Sequence, residues 1–175
     1  MRKHIRFIIA LIMLVTAFPA MAAPTYVADH IPSAQIMGMG RFTYMMMDIY
    51  DVRLYAPGGA FNPNQPFALS LTYLRKLYGL RIADRSIEEI RDLGFNDEIT
   101  LAAWHNSLRK IFPDVQNGDT LTGIRDPQGR AIFYNNNIKI GHIDDPEFSK
   151  WFFGIWLSPQ TSHPSLRSRL LNGTE

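Results

Sequence analysis

The sequence predicts an α+β domain: an antiparallel sheet with helices gathered into a separate layer. Three observations lead there. Strand-like segments and helical stripes arrive in blocks (strands, two helices, strands, two helices) rather than in strict alternation, the order of a segregated α+β architecture. Short turn-rich breaks such as Pro127-Gln128-Gly129 and Asn135-Asn136-Asn137 join consecutive strands, as antiparallel neighbours require. A nearly all-apolar stretch, Phe148 to Leu157, reads as a helix buried at the centre.

The chain opens with MRKHIR, an apolar run FIIALIMLVTAF and a small-x-small end at Ala20 and Ala22. This is the pattern of a cleavable export signal over residues 1–22, cut after Ala22. Its apolar run is too short for a spanning helix. The expectation is a periplasmic protein whose mature chain has no integral membrane segment. Residues 23–175 form one domain, long enough to bury a core. The leader holds three basic residues and no acid, so the mature part balances fifteen basic against sixteen acidic residues. That charge does not suit nucleic acid. There is no cysteine, which removes disulfides, thiolate metal sites and cysteine nucleophiles.

After a loose lead-in, residues 38–59 read as a hairpin turning at Met45-Met46, an awkward turn because neither residue favours positive φ. A two-residue or four-residue loop would set Thr43 opposite Asp48, Arg41 opposite Tyr50 and Met39 opposite Val52. One face would then join Met37, Met39, Val52 and Leu54 to a polar cluster of Arg41, Thr43, Asp48 and Tyr50. A guanidinium on an apolar face needs a partner. Either Arg41 pairs internally with Asp48 beside Tyr50, or Arg41 and Tyr50 await a ligand's carboxylate or oxyanion.

Residues 67–74 alternate as a third strand, with Phe67, Leu69, Leu71 and Tyr73 on one side. A helix over 80–93 carries the stripe Ala83, Ile87, Ile90, and its charged remainder, Glu89 included, reads as a solvated face. A second helix starts at an Asn96 cap and buries Leu101, Trp104, Leu108 and Ile111, with His105 at the surface. Strands follow at 119–126, 130–134 and 138–143. Asp145-Pro146-Glu147 starts the central helix, and Pro164 opens a last short one. No phosphate loop, nucleophile elbow or HExxH motif is present, and His142 lacks metal-ligand spacing. No cofactor or catalytic residue is assigned, and no protein partner can be named.

The segments GMGRFTY…DIYDVRLYAPGG, FALSLTYLRKLYGLRIADRSIEEIRDLG, IFPDVQNGDTLTG and FYNNNIKIGHIDDPEFSKWFFGIWLSPQTSHPSLRSRLL together resemble the chalcone isomerase-like family, in its exported bacterial branch. The resemblance runs from about Ile36 to Leu171. It implies an open-faced β-sandwich, an antiparallel sheet with a helical layer on one face and a ligand cleft between them. Plant members cyclise chalcones to flavanones; sister members are not catalytic and hold a fatty acid's carboxylate with an arginine and a tyrosine. By resemblance, Arg41, Tyr50 and Ser149 match cleft positions, with Thr43 and Asp48 beside them. The position of the isomerases' catalytic tyrosine holds Ile82, and that of a cleft asparagine holds Glu89.

The resemblance tips Arg41 and Tyr50 towards a ligand role. The expectation is a non-catalytic binder of a small amphipathic carboxylate such as a fatty acid. Two alternatives stand beside it: an isomerase or intramolecular lyase acting on a flavonoid-like substrate, and an envelope interaction protein whose cleft is filled by side chains.

Overall fold

The computed structural model describes residues 23–173; the expected leader, residues 1–22, lies outside them. The elements are α1 (Thr25–Ala28), β1 (Ala34–Tyr44), β2 (Met47–Pro57), β3 (Phe67–Tyr73), α2 (Gly79–Asp92), α3 (Glu98–Ile111), β4 (Thr120–Arg125), β5 (Ala131–Asn135), β6 (Ile138–Ile143), α4 (Pro146–Leu157) and α5 (Pro164–Asn172). The strands form one antiparallel six-stranded sheet in sequence order, β1 to β6.

The main core lies between this sheet and α2–α5. β3 contributes Phe67, Leu69, Leu71 and Tyr73, α2 contributes Ala83, Ile87 and Ile90, and α4 contributes Phe148, Phe152 and Phe153. These are the stripes that period-2 and period-3.6 patterning picked out. α4 is central because residues on most of its circumference are buried. Its cap is Asp145, whose carboxylate accepts from the Glu147 N–H at 2.9 Å and from Trp104 Nε1 at 2.9 Å. α3 is capped by Asp97 rather than Asn96: its side chain accepts from the N–H groups of Ile99 and Thr100.

The lead-in is not loose throughout. α1 lies over the outer face of the sheet, where Val27 and Ile31 pack with Tyr55, Ala68, Ile124 and Ile132 in a second, smaller core. α5 closes on β1 at Gly38, where a Cβ would collide with the Leu170 carbonyl oxygen. A side chain there would push the two elements apart.

The hairpin turns at Met45-Met46 with Thr43 opposite Asp48, as the sequence suggests. Both methionines adopt positive φ, 46° and 63°. This is the backbone of a tight two-residue hairpin, held by residues for which left-handed backbone costs roughly 1–2 kcal/mol each. Two strand positions later the expected register fails. Ile49 is an extra residue, and beyond it Phe42 faces Tyr50 while Arg41 faces Asp51. The bulge corrects the face assignment. Phe42 and Tyr50 point into the core side, with Val52 and Leu54 buried in line, and Arg41 points outward.

Candidate functional site

Between the sheet and α2, α4 and α5 the structure encloses a cavity of about 330 Å³. Its floor is the inner face of β2–β5: Ile49, Tyr50, Leu69, Leu71, Tyr73, Leu121, Gly123 and Phe133. Its roof is Leu77, Ile82, Phe112, Phe152, Phe153, Ile155 and Trp156. The β1–β2 bulge matters here, because it turns two consecutive residues, Ile49 and Tyr50, onto the cavity side.

Polar groups are few. Tyr50 Oη accepts from Trp156 Nε1 at 3.0 Å. Its own proton has no acceptor among the described residues. Tyr73 also lines the cavity, and its hydroxyl has no hydrogen-bond partner among the described residues. Burial raises both phenols above their ordinary value: the Trp156 N–H partly offsets this for Tyr50, and the neighbouring Tyr50 adds to it for Tyr73. Both therefore stay protonated and can donate at any physiological pH.

Charge enters from α2. Arg81, Arg85, Ser86 and Glu89 are on the cavity wall, together with His163 from the start of α5. Glu89 is only 4 % exposed. Its carboxylate accepts from Arg85 Nη2 and from Ser162 Oγ at 2.7 Å, and His163 Nε2 lies 3.6 Å away. Burial alone would lower the Arg85 guanidinium, but the bonds to Glu89 and Glu88 outweigh it and hold it above the ordinary arginine value. The Ser86 hydroxyl is spent on the Ile82 carbonyl at 2.8 Å.

The expected site residues separate. Tyr50 is in the cavity. Arg41 is on the outer face, where Nε and Nη2 fork onto Asp51 at 2.7 and 3.0 Å and Nη1 reaches Asp48 at 2.9 Å. Thr43 Oγ1 donates to the same Asp48 at 2.7 Å. These bonds hold the Asp48 carboxyl below its usual range, Thr43 first and Arg41 with it. Arg41, Thr43 and Asp48 thus form a closed surface network across the bulge, away from the cavity. Ser149 is fully buried in α4, away from the cavity wall, and its Oγ has no hydrogen-bond partner among the described residues.

The cavity residues missed by sequence are those of α2. Glu89 belongs to the cavity and not to a solvated face, because residues 162–163 fold over it. The signal that pointed to it was the resemblance, which placed Glu89 and Ile82 at cleft positions. His105 is not free either: its Nε2 is 2.8 Å from Asp84 Oδ1, tying α3 to α2. Among the described residues no group of three or more His, Cys, Asp or Glu could hold a metal ion. His142 has Asp144 beside it at 3.4 Å. No helix among the described residues is long and apolar enough to cross a membrane.

The fold and the family are shared with known proteins. The sequence profile described as "Chalcone isomerase-like" matches residues 26–172. The chain belongs to the chalcone isomerase-like family. An uncharacterized protein of Haemophilus influenzae is 31 % identical over 142 residues, which span 81 % of this chain and 69 % of that protein. The crystal structure of a fatty-acid binding protein of Arabidopsis thaliana superposes with a TM-score of 0.64, covering 89 % of this chain and 91 % of that one at 12 % identity. At that identity the likeness is one of fold. In this member of the family Phe42, rather than Arg41, stands beside Tyr50 on the cavity wall.

Proposed function

We propose that this chalcone isomerase-like protein binds an amphipathic molecule with a long apolar part, such as a fatty acid, without chemistry, in the periplasm after the leader is cut behind Ala22. The observation that carries the reading is the 330 Å³ cavity, apolar over most of its wall and charged at one end. Such cavities, with a few convergent polar groups, are the usual form of a small-molecule site. The apolar part fits against Leu69, Leu71, Phe152 and Phe153. The polar end lies towards α2, where Arg81 and Arg85 supply positive charge and Tyr50 a free O–H.

Arg85, not Arg41, is the arginine that shares the cavity with Tyr50. Arg85 is already bonded to Glu88 and Glu89, while among the described residues Arg81 has only a 4.0 Å contact with Asp84. A ligand carboxylate therefore meets Arg81 first and takes the Tyr50 proton as a hydrogen bond. The fold of the fatty-acid binding protein supports this class of ligand. Against chemistry, Ile82 lines the cavity where the family resemblance places the isomerases' tyrosine, and an aliphatic side chain can neither donate nor take a proton.

The test is native mass spectrometry of the purified mature chain, followed by fatty-acid titration after delipidation. Acyl ligand that co-purifies, or rebinds at micromolar concentration, is the expected result. A chain that carries none and binds none overturns the reading. The isomerase alternative keeps one favouring observation, the buried Glu89 with His163 at 3.6 Å, an acid–base pair facing the cavity. Turnover of a chalcone that disappears in Glu89→Gln would move the assignment to it.

A further inference from the structure

The cavity opens beside an unusual surface. Six large apolar side chains stand out near it: Tyr44 at 55 % exposure, Met45 at 74 %, Met46 at 98 %, Met47 at 43 %, Tyr78 at 56 % and Leu80 at 49 %. They come from the β1–β2 hairpin tip and from the β3–α2 connection. The two segments touch: the Leu74 N–H donates to the Ile49 carbonyl at 2.9 Å, and Arg75 Nη1 lies 2.8 Å from Met47 Sδ. Exposed apolar side chains gathered in one place mark an interaction surface.

Two further features narrow the partner. The tip holds its two most exposed methionines in left-handed backbone, where Asn-Gly would sit without strain. Strain kept at an exposed apolar tip points to a use for those side chains. Cations predominate around them; of the acids on the α2 side, Asp84 is held by His105 with Arg81 at 4.0 Å, and Asp114 accepts from the Gly79 N–H at 2.9 Å. Arg75, Lys76 and Arg81 flank the patch, with Lys76 Nζ 5.0 Å above the Tyr78 ring. The acid within the hairpin tip, Asp48, is engaged by Arg41 and Thr43 on the other face. Flexible thioethers that enter an apolar phase, ringed by cations, match a bilayer interface that carries anionic headgroups.

We propose that this tip docks on the surface of a membrane containing anionic lipid, with Met45 and Met46 entering the interface and Arg75, Lys76 and Arg81 meeting phosphates. Tyr44 and Arg81 belong both to the patch and to the cavity wall, so docking sets the cavity mouth against the bilayer. Passage of ligand between membrane and cavity rests on the function proposed above; the docking itself does not.

The experiment is co-sedimentation of the mature chain with phosphatidylcholine vesicles, with and without phosphatidylglycerol. The wild type should bind the anionic vesicles and release from them in high salt. The double variant Met45→Asn, Met46→Gly keeps the turn and removes the apolar tip. It should bind those vesicles about tenfold or more weaker, the loss expected from one methionine's burial, with its fatty-acid affinity in solution unchanged. Lys76→Gln should weaken vesicle binding about fivefold, one headgroup-facing charge. Equal binding by the double variant and the wild type overturns the proposal. So does wild-type binding that ignores phosphatidylglycerol, or a tip that drives self-association and no vesicle binding. Vesicle binding without fatty-acid binding would sink the cavity reading and leave the docking standing; the reverse would sink the docking alone.

Discussion

Two tyrosines on the same cavity wall should respond in opposite directions to loss of their hydroxyl. Tyr73 is 3 % exposed, and its hydroxyl has no partner among the described residues. A buried polar group without a partner costs about 1–3 kcal/mol. Space in the cavity for water reduces that, so Tyr73→Phe should stabilise the ligand-free protein by about 1 kcal/mol. For a chain of this size that is a Tm rise of about 2–4 °C. Tyr50→Phe removes the acceptor of the buried Trp156 N–H at 3.0 Å. It should cost about 1–3 kcal/mol and lower Tm by several degrees. The two variants differ from wild type by the same atom in the same wall, so the spread between them, about 2–4 kcal/mol, cancels general effects of the substitution. Urea unfolding of delipidated protein measures both. Tyr50→Phe should also weaken a fatty acid about tenfold or more, a hydrogen bond to a charged group, while sparing its methyl ester. A destabilised Tyr73→Phe, or a Tyr50→Phe as stable as wild type, would refute the account of these hydroxyls.

Three more outcomes follow from the same geometry. Arg41→Met should leave fatty-acid affinity unchanged in titration calorimetry, because the side chain lies outside the cavity on Asp48 and Asp51; lost binding would return Arg41 to the site. Ser149→Ala removes a buried hydroxyl without a partner among the described residues and should be neutral or stabilising by up to about 1 kcal/mol in urea unfolding. The Asp97 cap has its carboxyl lowered, chiefly by the Thr100 hydroxyl and N–H. Its contribution is present above the unfolded value, near pH 3.9, and lost as pH falls through the lower folded value, so the Tm gap between wild type and Asp97→Ala should close on acidification.

The elements were legible because their cores are patterned locally. Leu69, Leu71 and Tyr73 alternate, Ala83, Ile87 and Ile90 repeat at helical spacing, and all six are buried. The hairpin turn was placed correctly even though Met45-Met46 is poor turn chemistry, since the alternation on either side fixes the centre. The bulge was not legible. Ile49 and Tyr50 are both compatible with either face, so no residue type marks the slip that moves Arg41 outside and Phe42 inside. The same slip brings Asp51 opposite Arg41 as its partner. Glu89 was misread for a different reason. On α2 alone it continues a charged face, and only residues about seventy positions later, Ser162 and His163, cover it. α1 was missed because it has one buried residue, Val27, which with Ile31 just beyond the helix finds its partners on four distant strands, β2 to β5.

Occupancy of the cavity can be read directly from one side chain. The sequence has three tryptophans, and Trp156 alone among them lines the cavity. A brominated fatty acid quenches indole emission near contact. Titrated into delipidated protein, it should quench the wild type to saturation, and Trp156→Phe should lose most of that quenching while still binding unlabelled fatty acid by calorimetry. Absent quenching in the wild type, or equal quenching in Trp156→Phe, would place the ligand elsewhere and contradict the cavity as the binding site.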